Sequence, residues 1–554
     1  MTMASKLSPL CNTFLLFMLF SCSPSLASSS TSPSTICNST PHPSFCKSNL
    51  PPHELSTIHD YGRYFLHQSL SSAKDFLSLV KSYPIFHASY SKPTVHALKD
   101  CQILADLNVD FLSKTFQTIS STKSLNSMQT EDLHTFLSAT LTNQETCSDG
   151  LQELTSELDS SLKNGLLGPL SNGTKLHSIS LALFKHGWLP KINPESFPWP
   201  TGKKHIMFPN MEKIMKGLSP LKLSISGRRL LQTTFGNVLA SQTVFVNPDG
   251  SGDFTTINDA VAAAPENTDI SDGYFVIYIA AGVYNEYVSV DSNKHYLMMI
   301  GEGIGRTVIT GDHNYEDGWS TFDSATFAVV GQGFVAKEIT FRNTAGPSKY
   351  QAVAVRNGAD LSTFYRCSFE GYQDTLYTHS LRQFYKECDV YGTIDFIFGN
   401  AAVVFQDCNI YLRLPLHGQY NVITAQGKTD PNQNTGTSIH LCSIRAAEEL
   451  SDTETYLGRP WKEYSTTVYI QSFMDSLINP LGWHTWNETD FAIDTLYYGE
   501  YGNTGSGSDT SSRVTWPGYH VMNEDEANQF TVCNFFQGDE WLPATQGPYT
   551  CGLL

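Results

Sequence analysis

The sequence predicts a mainly β protein, a right-handed parallel β-helix preceded by an all-α four-helix bundle. Three observations predict this. Apolar stripes of helical period fill the first part of the chain and then stop. Short Val, Ile, Phe, Tyr and Thr runs separated by Gly, Asn and Asp turns take over from about residue 240. Within them a repeat appears. Phe364, Phe384 and Phe405 recur at a nearly constant interval, and Cys367, Cys388 and Cys408 recur at the same one. A short repeat of this kind in strand-like sequence is the mark of stacked solenoid coils.

Four segments follow in order. Residues 1–27 read as a secretory signal: Lys6, an apolar run from Leu10 to Cys22, then Ser25-Leu26-Ala27. The run is short for a membrane span. The product is therefore expected to be secreted to an extracellular or cell-wall compartment, with no membrane attachment after signal removal. Sequons at Asn38, Asn172 and Asn487 fit that route as glycosylation sites, and the remaining cysteines can persist as disulfides there.

Residues 28–186 carry the helical stripes, among them Leu55 to Val80, Leu98 to Phe116, Leu133 to Leu158 and Leu176 to Leu183. They predict an antiparallel four-helix bundle. Cys101 and Cys147 fall on different helices and can staple them, and Cys37–Cys46 can close a short N-terminal hairpin. Scattered histidines such as His59, His67, His96 and His134 form no metal-ligand spacing, and no metal or other cofactor is expected. Residues 187–231 lose periodicity, are rich in Pro and Lys, and end at Arg228-Arg229, a dibasic processing site for a protease.

Residues 232–554 form the β unit, with a short helix from Thr256 to Ala264 capping one end. Charge follows the same division. Residues 1–231 hold 20 Lys+Arg against 15 Asp+Glu, and residues 232–554 hold 15 against 38. The contrast predicts electrostatic attraction between the two halves, and the acidic half excludes nucleic acid as a partner.

The chemistry centres on Asp374 and Asp395, whose separation equals that of Cys367 and Cys388 and so amounts to one coil. Neighbouring strands lie about 4.8 Å apart, so the two carboxyls become neighbours whose pKa values split. Spacing does not say which keeps the proton. Gln351 precedes Gln373 by one position more than that interval and joins the same face one coil earlier. A structural amide ladder competes with catalysis for each residue singly, less well for two amides and two acids together. Cys388 can pair with Cys408 or with Cys367, and Cys533 can pair with Cys551; Cys442 has no evident partner.

Five words then occur in order: GVYNE (282–286), QAVAVR (351–356), GYQDTL (371–376), DFIFG (395–399) and LGRPW (457–461). Over residues 242–553 the chain resembles the plant pectin methylesterases (pectinesterases), departing slightly at Val355 where Leu is common. Residues 34–186 resemble the invertase and pectin methylesterase inhibitor family. The resemblance implies hydrolysis of C6 methyl esters of pectin by an acyl-enzyme route. It makes Asp395 the nucleophile, Asp374 the proton donor and base, and Gln373 with Gln351 the stabilisers of the oxyanion. Arg459 would hold Asp395 ionised. Trp461, Thr321 and Phe322 would meet the sugar chain. It also implies a Cys388–Cys408 disulfide with Cys367 buried and free, and a pro-region that acts as a proteinaceous inhibitor or chaperone. A lyase would need a Ca²⁺-binding carboxylate cluster and a polygalacturonase Asp-Asp and Gly-His-Gly words, and neither is present. A non-catalytic wall protein would not need the intact quintet of Gln351, Gln373, Asp374, Asp395 and Arg459. The acidic β unit is expected to be held weakly by fully demethylated pectin.

Overall fold

The structure is a computed structural model that describes residues 32–84, 90–154, 157–190 and 239–554. The signal segment and the dibasic Arg228-Arg229 pair lie outside the described residues. Two short helices, α1 (Pro33–Asn38) and α2 (Pro43–Ser48), are joined by the Cys37–Cys46 disulfide. Four long ones follow: α3 (Ile58–Ser82), α4 (Lys92–Ser120), α5 (Ser127–Gln152) and α6 (Glu157–Trp188). Local chemistry sets their starts. Thr57 with Asp60 and Asn126 with Gln129 form reciprocal capping boxes, and Ser91 caps α4. Cys101–Cys147 ties α4 to α5 as the spacing predicts. One boundary differs from the sequence reading. Leu158 does not extend the third helix but lies at the start of α6, because α5 ends at Gln152.

From Ala240 onward every paired strand is parallel, and the strands form three sheets of 11, 7 and 8. Each central coil adds one strand to each sheet, which is the parallel β-helix the repeat predicts. Helix α7 (Ile257–Ala263) closes the first coil, burying Ile257, Ala260 and Val261 against the solenoid core. Three short C-terminal helices, α8 (Glu524–Asn528), α9 (Val532–Phe536) and α10 (Gly538–Thr545), lie against the outside of the 11-stranded sheet. The Cys533–Cys551 disulfide secures them.

Two stacks differ from the expectation that spacing sets. Phe364, Tyr385 and Phe405 are register partners inside the solenoid, with ring centroids 5.0 and 4.6 Å apart. Phe384 sits one position off, opposite Thr363 and Val404, and so points outward beneath α9 and α10. A one-residue offset in a strand moves a side chain to the other face. The predicted Cys388–Cys408 disulfide is also absent: Cys367, Cys388, Cys408 and Cys442 are all buried free thiols. Stacked in-register residues project side by side in one direction, so their Cβ atoms do not converge as a disulfide requires. Instead two of the sulfurs accept from the preceding coil: the Cys367 N–H meets Cys388 Sγ at 3.5 Å and the Cys388 N–H meets Cys408 Sγ at 3.4 Å.

The corners explain how the coils turn. Arg366, Glu387, Asp407 and Leu441, each just before a ladder cysteine, adopt φ of 51, 53, 53 and 58°. Two residues at another corner do the same, Asp374 at 62° and Asp395 at 52°. Left-handed backbone is costly for residues other than glycine and gathers at functional sites.

Candidate active site

Leu376 pairs with Ile397 and Tyr377 with Phe398, so Asp374 and Asp395 stand at equivalent corners of adjacent coils. The Asp374 N–H donates to Ile394 O at 3.1 Å, continuing that register through the corner. One coil earlier, the Ala352 N–H donates to Gln373 O, and the N–H groups of Ala354 and Val355 both reach Thr375 O. This one-residue slip brings Gln351 opposite Gln373, as their slightly longer separation in sequence predicts. All four side chains line one cavity of about 320 Å³.

The two acids have different surroundings. Asp395 accepts three hydrogen bonds from Arg459: Nε to Oδ1 at 2.9 Å and to Oδ2 at 3.2 Å, and Nη2 to Oδ2 at 2.6 Å. Arg459 is held in turn by Tyr420 Oη at 3.2 Å and by the Trp486 ring, 4.5 Å from the guanidinium carbon. The Asp374 carboxyl, 7% exposed, takes no such fork. Burial, reinforced by the charge of Asp395, pushes Asp374 well above the usual carboxylate range against a smaller pull from Arg459. Burial raises Asp395 as well, but there Arg459 opposes it by both charge and hydrogen bonding. These surroundings favour the proton on Asp374 and the charge on Asp395.

The remaining predicted residues also arrive here. Thr321 and Phe322 form one wall and Trp461 another. Trp461 packs near Tyr377 and Phe398, with ring centroids 6.3 and 6.0 Å away. Its ring lies so close to Gly427 that a Cβ there would come within 2.8 Å. Gln351 Oε1 is buried without a partner among the described residues. Sequence reasoning missed Tyr377, Phe398, Tyr420 and Trp486. Tyr377 and Phe398 were recoverable, each lying on the strand that follows one of the two acids.

It also missed the roof. Thr146, Asp149, Gly150 and Glu153 at the C-terminal end of α5, with Asp100 of α4, line the same cavity as the acid pair. Helix α5 lies along the β-helix through a polar stripe. Asn434 Nδ2 donates to Glu131 Oε1 at 2.7 Å, Gln433 Nε2 to Ser138 O at 2.8 Å and Asn400 Nδ2 to Thr142 Oγ1 at 2.9 Å. Thr146 Oγ1 meets His379 Nε2 at 3.0 Å. Arg382 pairs with Asp132 at 2.6 Å, and Lys462 with Glu145 and Asp149 at 2.6 and 2.9 Å. From α4, Asp100 Oδ2 accepts from Ser320 Oγ at 2.6 Å and His96 bonds Asp323. Net charge predicts the reverse of most of these ion pairs, since acids come here from the basic half and cations from the acidic half. Of the predicted glycosylation sites, Asn38, Asn172 and Asn487 are all exposed.

Comparison with known proteins agrees with both halves. The pectinesterase family model matches residues 243–539, and the plant invertase/pectin methylesterase inhibitor model matches residues 31–183. A probable pectinesterase/pectinesterase inhibitor 41 of Arabidopsis thaliana is 52% identical over 547 residues, covering 95% of each chain. Pectinesterase 2 of Citrus sinensis is 45% identical over 526 residues, 93% of this chain and 94% of that one. Among solved structures, pectin methylesterase from carrot is 54% identical with a TM-score of 0.55, and covers 56% of this chain and 98% of its own.

Proposed function

This chain belongs to the pectinesterase family and is a carboxylic ester hydrolase that removes methyl esters from pectin, and we propose that it does so through Asp395 as nucleophile and Asp374 as proton carrier. One observation carries the assignment: Arg459 grips Asp395 with three hydrogen bonds while the adjacent Asp374 lacks that grip. The ionised Asp395 oxygen attacks the C6 carbonyl of a methylated galacturonate. Negative charge develops on the carbonyl oxygen, where the Gln351 and Gln373 amides can donate. Collapse expels the methoxy group, which takes the proton of Asp374 and leaves as methanol. An acyl-enzyme anhydride on Asp395 remains. Asp374, now ionised, takes a proton from the attacking water, the anhydride breaks, and both carboxyls return to their starting states. Trp461, Thr321 and Phe322 hold the sugar chain. Methanol release from methylated galacturonan by residues 232–554, lost on Asp395→Ala, tests this. Chain shortening or unsaturated ends in the product would overturn it.

The α5 roof supports a second reading, that residues 28–186 block the site until residues 187–231 are cut at Arg228-Arg229. Asp149 and Glu153 stand in the cavity a sugar chain must enter. On this reading residues 1–27 direct secretion and the mature unit works in the cell wall. Among the described residues no helix is long and apolar enough to cross a membrane. Methanol release by the intact chain and by the cleaved chain, assayed side by side, tests the block. Equal rates would reject it.

A further inference from the structure

Among the described residues, every side-chain hydrogen bond of Arg459 goes to Asp395 or to Tyr420. Asp395 takes Nε and Nη2, and Tyr420 Oη takes Nη1 at 3.2 Å. The Tyr420 ring is braced. It stacks on His484 with centroids 4.5 Å apart and 23° between the planes, and it meets Tyr456 edge-on at 5.7 Å. The brace is tied to the strand that carries the arginine. Tyr456 lies on strand Thr455–Gly458, Arg459 follows it, and the His484 N–H donates to Gly458 O at 3.0 Å. Tyr420 itself precedes strand Asn421–Gln426, where Asn421 is the register partner of Thr455. Arg459 and Trp486 line the reaction cavity, while Tyr420 and His484 are not among its lining residues.

The two halves of the reaction make different demands on Arg459. Before acylation Asp395 is an anion and grips the guanidinium without help. In the acyl-enzyme Asp395 is an uncharged anhydride, and hydrogen bonds to it lose the charge that strengthened them. Asp374 has by then given its proton to methanol and is the carboxylate of the pair. It lies within electrostatic reach of Arg459. A guanidinium whose side chain is only 15% exposed is drawn to the acid that is ionised. Turned toward Asp374, it would stabilise that carboxylate and weaken the base that must take a proton from water. It would also leave Asp395 unsupported as the departing group. The contacts that survive acylation are those made elsewhere than on Asp395, namely Tyr420 Oη and the Trp486 ring. Of the two, the phenol oxygen is the one that fixes a hydrogen-bond direction.

We propose that Tyr420 is a positioning residue for the second half of the reaction: it keeps Arg459 facing Asp395 while that side chain is an anhydride, and so keeps the guanidinium off the newly ionised Asp374. The proposal rests on the reading of Asp395 as nucleophile. In the step concerned, water adds to the acyl carbon and its proton passes to Asp374. The bond from that carbon to Asp395 then breaks, and its electron pair returns to the Asp395 carboxylate. Arg459 has to be in place to receive that charge. His484 and Tyr456 act through Tyr420, by holding its ring.

The test uses residues 232–554, the unit that holds the match to the pectinesterase family model and whose carrot relative, 98% matched, is a solved structure. Tyr420→Phe keeps the ring and its stacking and removes only the oxygen. Methanol leaves at acylation and the free acid appears at deacylation, so rapid-quench time courses on a methylated galacturonan oligomer separate the two steps. The first methanol per enzyme should appear at the wild-type rate. Decay of the acyl-enzyme should slow about tenfold, the scale of one hydrogen bond to a charged group. In the steady state kcat and KM should then fall together with kcat/KM unchanged, a split that general loosening of the site would not produce. A variant slowed in its first methanol release, or one whose acyl-enzyme decays at the wild-type rate, overturns the proposal and leaves the esterase reading standing. Methanol release by Asp395→Ala would overturn the nucleophile assignment and the role of Tyr420 with it.

Discussion

Asp374 and Asp395 occupy the same left-handed corner of adjacent coils, with φ of 62 and 52°, yet only Asp395 is gripped by Arg459. Geometry makes them neighbours and the guanidinium makes them unlike. Asp374→Asn should therefore lower kcat by about 10²–10⁴-fold, the usual weight of a general acid–base, while Asp395→Asn should leave no measurable turnover. The two variants should also differ in kind. Asp395→Asn cannot form an acyl-enzyme, whereas Asp374→Asn retains the nucleophile. Rapid-quench trapping of acyl-enzyme from Asp374→Asn but not from Asp395→Asn checks the roles, and the opposite pattern would exchange them.

The glutamines should act on the transition state more than on binding. Gln351 Oε1 has no partner among the described residues, and the slipped register brings its amide beside Gln373 at the mouth of the acid pair. Replacing either by Ala should reduce kcat by about 10²-fold or more with KM little changed, as for other lost oxyanion donors. A rise in KM at constant kcat would instead make them ground-state contacts.

Much of this was legible because a solenoid converts sequence separation into spatial adjacency. The length of one coil, read from the cysteine repeat, was enough to bring Gln351, Gln373, Asp374 and Asp395 together. The same arithmetic failed at Phe384, where a one-residue error is a change of face. It also failed for Cys388 and Cys408, since adjacency does not give the converging geometry of a disulfide. The roof was hidden for another reason: which face of a bundle docks is a tertiary fact. A trace was present all the same. Glu131, Thr135, Ser138, Thr142, Glu145 and Asp149 repeat at alternating intervals of four and three, a polar stripe on α5 opposite its apolar one. Helices that bury a polar stripe have something polar to bury it against.

The cysteine ladder can be counted. A chain lacking residues 1–27 should yield four titratable thiols after denaturation, from Cys367, Cys388, Cys408 and Cys442, and essentially none while folded. Burial raises Cys388 and Cys442 well above the ordinary thiol range, which makes them still less reactive in the native state. Two thiols by mass-resolved alkylation, with a peptide linking Cys388 to Cys408, would restore the disulfide that the family resemblance implies.

The contact between α4 and the β-helix should weaken with rising pH. Asp100 is pushed up to about 8 by burial and by the charge of Asp323, against the Ser320 hydrogen bond and the charges of Arg356 and Lys99. Its acid form is the one the docked state favours. Docking thus gains from Asp100 fully below the ordinary carboxylate pKa, and that gain is lost as pH climbs through about 8. Asp149 and Glu153, both raised chiefly by burial, share the sign. If the roof blocks the cavity, methanol release by the intact chain should rise relative to that by residues 232–554 as pH passes through this range. Asp100→Asn keeps a neutral acceptor for Ser320 Oγ and should flatten most of the rise. The ratio of the two rates is the quantity to follow, because it cancels the pH dependence of the chemistry itself. A ratio that stays level in the wild type would mean that Asp100 ionisation does not govern the contact.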